Sequence, residues 1–316
     1  MSNNTLFRAD SSSTIGTGHI MRDLVLAQKY AEKGNHIIFA TQNLEGNINH
    51  KIKEAGYEIH KLNSSDVEEL DKLIKTLNID LLVIDHYGID AKQEKKLKIK
   101  NKKLKIMVLD DTYEKHYCDI LLNHNISANK KRYKGLVPKN CELRCGKKYT
   151  LLRDEFIQEI YKKKWKTKRY KKQNDTTTIF IAMGGADHSN INIDILKVIK
   201  KLKNNSKIEV NLVTTTANKN LKNLEKYCKH KSWIKLYINS NKIAKLMSQS
   251  NLAIVTPSVS VNEVYFMKLP FVAIKTAENQ NDMYTYLKKT KFNILKKFND
   301  KKILKILKNI LKKNND

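Results

Sequence analysis

Thr5-Leu6-Phe7-Arg8-Ala9-Asp10 is a strand-like run, Ser11-Ser12-Ser13 a polar turn, and Gly16-Thr17-Gly18-His19 opens a helix-like run from Ile20 to Lys33. Apolar residues at Ile20, Leu24, Ala27 and Ala31 keep the helical period, and Gly34 stops it. Strand, glycine turn and helix form a unit in which backbone N–H groups and the positive end of a helix dipole face an anion. That end disfavours a charged imidazole, so His19 is suited to act as a neutral general base. A plain tight turn with a helix-capping histidine would give the same letters. A dinucleotide fingerprint fits less well, because Met21 stands where its third glycine belongs and no acid ends the second strand, His36 to Thr41.

The same construction returns in the second half. Thr177-Thr178-Ile179-Phe180-Ile181-Ala182-Met183 is strand-like, Gly184-Gly185 follows, and the polar segment Ala186-Asp187-His188-Ser189-Asn190 comes next. The chain has 10 glycines and 3 prolines in 316 residues, so four glycines in two such loops carry weight. Strand-like runs at 5–10, 36–41, 80–87, 104–110 and 119–123 alternate with helix-like runs at 20–33, 44–55, 67–77 and 91–99. Further on, strands are expected at 177–183, 209–215, 234–238, 252–256 and 271–275, with helices at 190–203, 218–229, 240–249, 258–268 and 279–290. The almost wholly apolar Asp80-Leu81-Leu82-Val83-Ile84-Asp85 reads as a strand covered on both faces. This alternation predicts an α/β protein of two doubly wound, Rossmann-type domains facing a cleft, the GT-B arrangement of nucleotide-sugar enzymes. The expected divisions are an N-terminal domain at 1–161, a basic linker at 162–176, a C-terminal domain at 177–290 and a lysine-rich helix at 291–316.

The net charge of +29 suggests a polyanion partner at first sight. Lysine supplies nearly all of it along most of the chain, arginine is scarce, and neither an RNA-binding motif nor zinc-finger spacing occurs. The lysines are therefore read as solvated faces, with no specific nucleic-acid partner. Cys118, Cys141, Cys145 and Cys228 match no standard metal spacing and are read as free thiols. No apolar leader or membrane-length run is visible, so a cytoplasmic protein without membrane insertion is expected.

Thr256-Pro257-Ser258-Val259-Ser260-Val261-Asn262-Glu263 follows the strand Leu252-Ala253-Ile254-Val255 and starts a helix. Ser258 and Ser260, with the backbone at Val259, could receive an anion, and Glu263 could accept from two ribose hydroxyls. A serine N-cap with an acid in the first turn is the competing account. Asp85-His86-Tyr87-Gly88 ends the central strand, where Asp85 could orient His19 or a substrate hydroxyl. Asp110 and Asp111 are read as solvated loop acids, and Asn279 and Gln280 either reach a sugar or cap a late helix.

The segments Phe7 to Ser13, Gly16 to Asp23, Ile84 to Gly88, Arg144-Cys145-Gly146, Leu151 to Phe156, Ala182 to Gly185 and Val261-Asn262-Glu263, in this order, resemble the UDP-2,4-diacetamido-2,4,6-trideoxy-β-L-altropyranose hydrolases of pseudaminic acid biosynthesis. The resemblance runs from residue 5 to about 290. It implies hydrolysis of a sugar–UDP bond with inversion at the anomeric carbon, without metal or cofactor. His19 matches the family's general base, and Tyr87 and Asn262 match other catalytic polar residues. Gly184, Ser258 to Ser260 and Glu263 match the nucleotide-binding part, and Gly185 adjoins it. Arg8, Gly16, Gly18, Arg22, Asp85, Asn279 and Gln280 complete the expected substrate contacts. The expected partner is a UDP-sugar, bound by a monomer.

Overall fold

The computed structural model describes residues 3–167, 176–187, 189–203 and 207–313. Two compact units divide the chain, Met1–Leu151 and Leu152–Asp316.

The first unit contains β1 (Asn4–Ala9), α1 (Gly18–Ala31), β2 (His36–Gln42), α2 (Asn49–Glu54), β3 (Glu58–Leu62), α3 (Val67–Thr76), β4 (Leu81–Asp85), α4 (Ala91–Lys100), β5 (Lys105–Leu109), β6 (Ile120–Asn123) and β7 (Glu142–Cys145). The strands form one parallel sheet in the order β3-β2-β1-β4-β5-β6-β7. Every residue of β4 is buried, as its apolar run predicts, and hydrophobic clusters cover both faces of the sheet. The order reverses between β1 and β4. Their following loops diverge there, which is where open α/β sheets form a ligand crevice.

The second unit repeats the plan. It contains α5 (Asp154–Thr167), β8 (Thr177–Ala182), α6 (Asn192–Lys203), β9 (Ile208–Thr214), α7 (Leu221–Cys228), β10 (Ile234–Ile238), α8 (Ile243–Ser248), β11 (Leu252–Val255), α9 (Val259–Phe266), β12 (Phe271–Ile274), α10 (Asn281–Lys289), β13 (Asn293–Leu295) and α11 (Asp300–Lys313). Its parallel order is β10-β9-β8-β11-β12-β13, with the switch point between β8 and β11. Ile303 and Leu307 of α11 enter this unit's core, wholly buried, at about 1.5–3 kcal/mol each.

Several boundaries differ from the sequence reading. Residues 162–167 continue α5, whose Glu159 accepts a hydrogen bond from Ser248 on α8, so they belong to a helix of the second unit. The rest of the expected linker, except Thr176, lies outside the described residues. β3 went unanticipated because Glu58-Ile59-His60-Lys61-Leu62 is an edge strand, half-exposed, with β2 as its neighbour in the sheet. β13 hides in the lysine-rich tail, where Ile294 pairs with Ala273. The helix expected over 44–55 shrinks to α2, because Gly46 adopts φ +73° and Glu45 accepts from the Ser13 backbone.

Candidate active site

The loop between β1 and α1 is built by its own hydrogen bonds. Gly16 N–H donates to the Ser12 carbonyl at 2.8 Å, and Ile15 N–H donates to Ser12 Oγ at 2.9 Å. Gly16 sits at φ +87°, where a side chain would be strained. Thr17 precedes α1 without a side-chain cap, and the first turn carries no acidic residue. The helix N-terminus is thus left without a side-chain partner of its own.

One turn of α1 carries His19 and Arg22 toward the end of β4. His19 Nδ1 lies 2.7 Å from Asp85 Oδ1, and Arg22 Nε donates to Asp85 Oδ2 at 2.6 Å. Arg22 Nη2 donates to Asp85 Oδ1, making the ion pair two-pronged. Burial pushes the Asp85 carboxyl up, but Arg22 and His19 outweigh it and hold the group well below the usual carboxylate range. An ionised Asp85 only accepts, so the His19 Nδ1 carries the proton that faces it, and in the neutral ring this leaves the lone pair on Nε2. Arg22 Nη1 also donates to Asp111 Oδ2 at 3.0 Å, and the Tyr87 hydroxyl donates to Asp111 Oδ1 at 2.9 Å. The Tyr87 ring meets His19 edge-on, centroids 5.0 Å apart. His19, Arg22, Asp85, Tyr87 and Asp111 therefore form one connected cluster at the first switch point.

Three sequence readings change here. Asp111, expected as a solvated loop acid, is bonded into this cluster. Asp110 is no solvated acid either. It accepts from the Thr112 and Tyr113 amides and from the Tyr133 hydroxyl, at 2.8, 2.9 and 2.7 Å, and against burial it is His116, followed by Thr112 and Tyr133, that holds its carboxyl down to about 2. Arg8, expected at the substrate, is buried at 1% exposure and spends its guanidinium on Asp10 at 2.8 Å and the Ala40 carbonyl at 3.4 Å. Asp10 in turn receives the Gln42 amide and lies 3.2 Å from His86 Nε2, so Arg8 braces the sheet beneath the loop. His124, just past β6, was not singled out. It is buried with no hydrogen-bond partner at either ring nitrogen among the described residues, and burial, seconded by Arg22, drives its imidazole down to about 3, neutral at ordinary pH. Residue type alone gives no signal for it.

Among the described residues no group of three or more His, Cys, Asp or Glu side chains is arranged to hold a metal. The four cysteines are free, with the Cys118 and Cys141 sulfurs 3.7 Å apart.

At the second switch point the polar groups are less committed. Gly184 adopts φ +83°, and a Cβ on Gly185 would lie 2.9 Å from the Thr215 methyl, so the backbone there tolerates only glycine. Thr214 and Thr215 hydroxyls donate to the Gly185 carbonyl at 3.2 and 2.9 Å, tying the loops after β8 and β9 together. Ser258 precedes α9 but does not cap it, and its hydroxyl lies 3.0 Å from that of Thr256. Val259 and Ser260 begin the helix, half-buried, while Asn262 and Glu263 are buried one turn in. Glu263 Oε1 accepts from Arg153 Nη2 at 3.1 Å, and burial raises its carboxyl despite that cation. Asn279 and Gln280 lie in a short 3-10 turn, where Gln280 Oε1 accepts from the Thr276 and Ala277 amides. Gln280 thereby holds its own turn.

No protein-family model matches the chain. A UDP-2,4-diacetamido-2,4,6-trideoxy-β-L-altropyranose hydrolase from Campylobacter jejuni is 42% identical over 293 residues, 93% of this chain and 99% of that protein. The crystal structure of Acinetobacter baumannii MurG superposes with TM-score 0.64 at 10% identity, covering 98% of this chain and 91% of that one. A UDP-GlcNAc 2-epimerase from Neisseria meningitidis, solved with UDP-GlcNAc, gives 0.63 at 12% identity, covering 99% and 92%. These structural likenesses establish the GT-B-like pair of Rossmann-like units. No helix among the described residues is long and apolar enough to cross a membrane.

Proposed function

The chain belongs to the UDP-2,4-diacetamido-2,4,6-trideoxy-β-L-altropyranose hydrolase family, and on that premise we propose that it hydrolyses this UDP-sugar to UDP and the free sugar. His19 Nε2 removes a proton from a water molecule while the water oxygen attacks the anomeric carbon. The bond from that carbon to the UDP oxygen breaks, and the electron pair leaves with UDP. One direct displacement inverts the centre. The observation that carries this reading is the 2.7 Å contact of His19 Nδ1 with Asp85, itself clamped by Arg22, which directs the lone pair of Nε2 away from the cluster. Tyr87 packs on the His19 ring and restricts its rotation.

The second unit takes the nucleotide in this reading. The glycine loop after β8 and the uncapped start of α9, with Ser258 and Ser260, receive the diphosphate. Glu263, steadied by Arg153, accepts from the ribose hydroxyls, and Asn262 lies beside it for the sugar. UDP is a good leaving group, so a base is needed more than an acid. Proton NMR of the reaction with the UDP-sugar tests the proposal. Free sugar with inverted configuration, seen before mutarotation and in step with UDP, is the expected result. A retained anomer, or no hydrolysis, overturns it.

A further inference from the structure

Asp23 follows Arg22 on α1 and is wholly buried, at 0% exposure. Neither of its carboxyl oxygens receives a hydrogen bond from a donor among the described residues. It stands one turn after His19 on α1, on the helix face from which His19 reaches Asp85, beside an Arg22 guanidinium already spent on Asp85 and Asp111. The titratable and charged groups around the pair are Arg22 and His19 from α1, Asp85 from β4, Asp111 after β5 and neutral His124 after β6.

Two neighbouring carboxylates inside a dry interior do not readily both ionise, and one proton stays with the pair. The two positions compete unequally. Asp85 receives the Arg22 fork and the His19 N–H, all of which favour its anion. Asp23 receives no donor, and burial followed by the Asp85 charge lifts its carboxyl well above the ordinary range.

We propose that Asp23 is a neutral carboxylic acid at working pH, donating its O–H to Asp85 and acting as a positioning residue for His19. The inference rests on the reading of His19 as the base. The donated hydrogen bond occupies a lone pair of Asp85 and moderates its basicity. Asp85 then holds the His19 Nδ1 proton in place without taking it, and its plane is fixed by donors from both sides. The site also gains an anion's geometry from two carboxyls while carrying the charge of one.

Infrared difference spectra of the full chain with Asp carboxyls labelled by carbon-13 test the protonation state directly. The expected result is an isotope-sensitive carboxylic-acid C=O band at neutral pH that disappears in Asp23→Asn. No such band, or a band that persists in the variant, overturns the proposal. This readout needs no turnover, so it stands or falls apart from the role of His19. Kinetics supply the second arm. Asp23→Asn keeps an N–H donor and is expected to leave the acid limb of the pH–rate profile where it was. A limb moved to lower pH would mean that an anion had been removed, and overturns the proposal. Asp23→Leu keeps the branched outline, at a larger volume, without a donor, and should lower kcat by about tenfold, the worth of one hydrogen bond to a charged group, with KM little changed. If the Leu variant does not fold, the spectrum and pH profile of the Asn variant still decide.

Discussion

The loop pairs at the two switch points carry their polar side chains in opposite conditions. After β1 and β4, Asp85 and Asp111 are engaged by Arg22, His19 and Tyr87. After β8 and β11, Ser258 leaves α9 uncapped, and Glu263 accepts from Arg153 through one oxygen. Matching strand orders, with β7 added at the edge of the first sheet, have thus been finished for different work. A group that must hold one tautomer needs its charges satisfied within the protein, because an unsettled neighbour would change its proton affinity. A group that must bind an anion or a sugar needs donors and acceptors still unspent until the ligand arrives.

Removing the base gives the largest expected effect. His19→Asn should lower turnover by about 10² to 10⁴, the usual worth of a general base. UDP affinity, measured by titration calorimetry, should stay near that of the parent. A variant that lost UDP binding while keeping its rate per bound substrate would break the division of labour between the two switch points. Glu263→Ala tests the other side. Loss of a carboxylate shared by two ribose hydroxyls should weaken UDP binding by roughly 10- to 100-fold, at about 1.5–3 kcal/mol. Glu263→Gln, which does not leave Arg153 beside a cavity, should show a smaller loss of the same sign. Unchanged affinity in both variants would remove Glu263 from the ribose.

A smaller effect probes how far the satisfied charges of the first unit sustain its fold. His116 Nδ1 lies 2.8 Å from buried Glu94, with Asp110 3.9 Å from Nε2. Burial works against its charge, but Asp110 and Glu94 outweigh burial and hold the imidazolium up to about 9, against an ordinary 6.5. A raised folded value means the stabilisation is complete below about 6.5 and is lost as pH climbs toward 9. Chemical denaturation followed between those values should show stability falling with pH, and His116→Phe should flatten that slope. An unaltered slope would show that the Glu94–His116 pair is incidental.

What could be read from sequence follows from where each signal is local. The buried strand β4 declares itself through five consecutive residues, and the glycine loops through residues with no substitute at positive φ. Both switch points were therefore found from short segments. The partnerships across them were not. Asp111 looks like a loop acid until α1 brings Arg22 to it, and Arg8 looks like a substrate contact until Asp10 and Ala40 consume it. Asp23 lies one residue beyond Arg22 on α1, and only the packing of β4 against that helix reveals a second buried carboxyl. β3 and β13 escaped because edge strands and tail strands keep polar, half-exposed sequences.

The smallest expected effect is none at all, and it concerns the carboxylates that separate the two switch points most. Asp110 and Asp111 stand side by side after β5, a spacing that could serve a divalent cation. A hard cation such as Mg²⁺ needs carboxylate oxygens free to coordinate it. Asp110 gives its oxygens to the Thr112 and Tyr113 amides and the Tyr133 hydroxyl, and Asp111 gives one to Arg22 and the other to Tyr87. Binding a metal there would break several of these bonds and release the Arg22 clamp on Asp85. The diphosphate charge in this reading is met by backbone N–H groups and hydroxyls of the second unit. Hydrolysis should therefore persist after exhaustive EDTA treatment, with unchanged kcat and KM. Activity that vanished with EDTA and returned with Mg²⁺ or Mn²⁺ would mean that the charges around Asp111 rearrange on substrate binding, and the contrast between a satisfied and an open switch point would not survive.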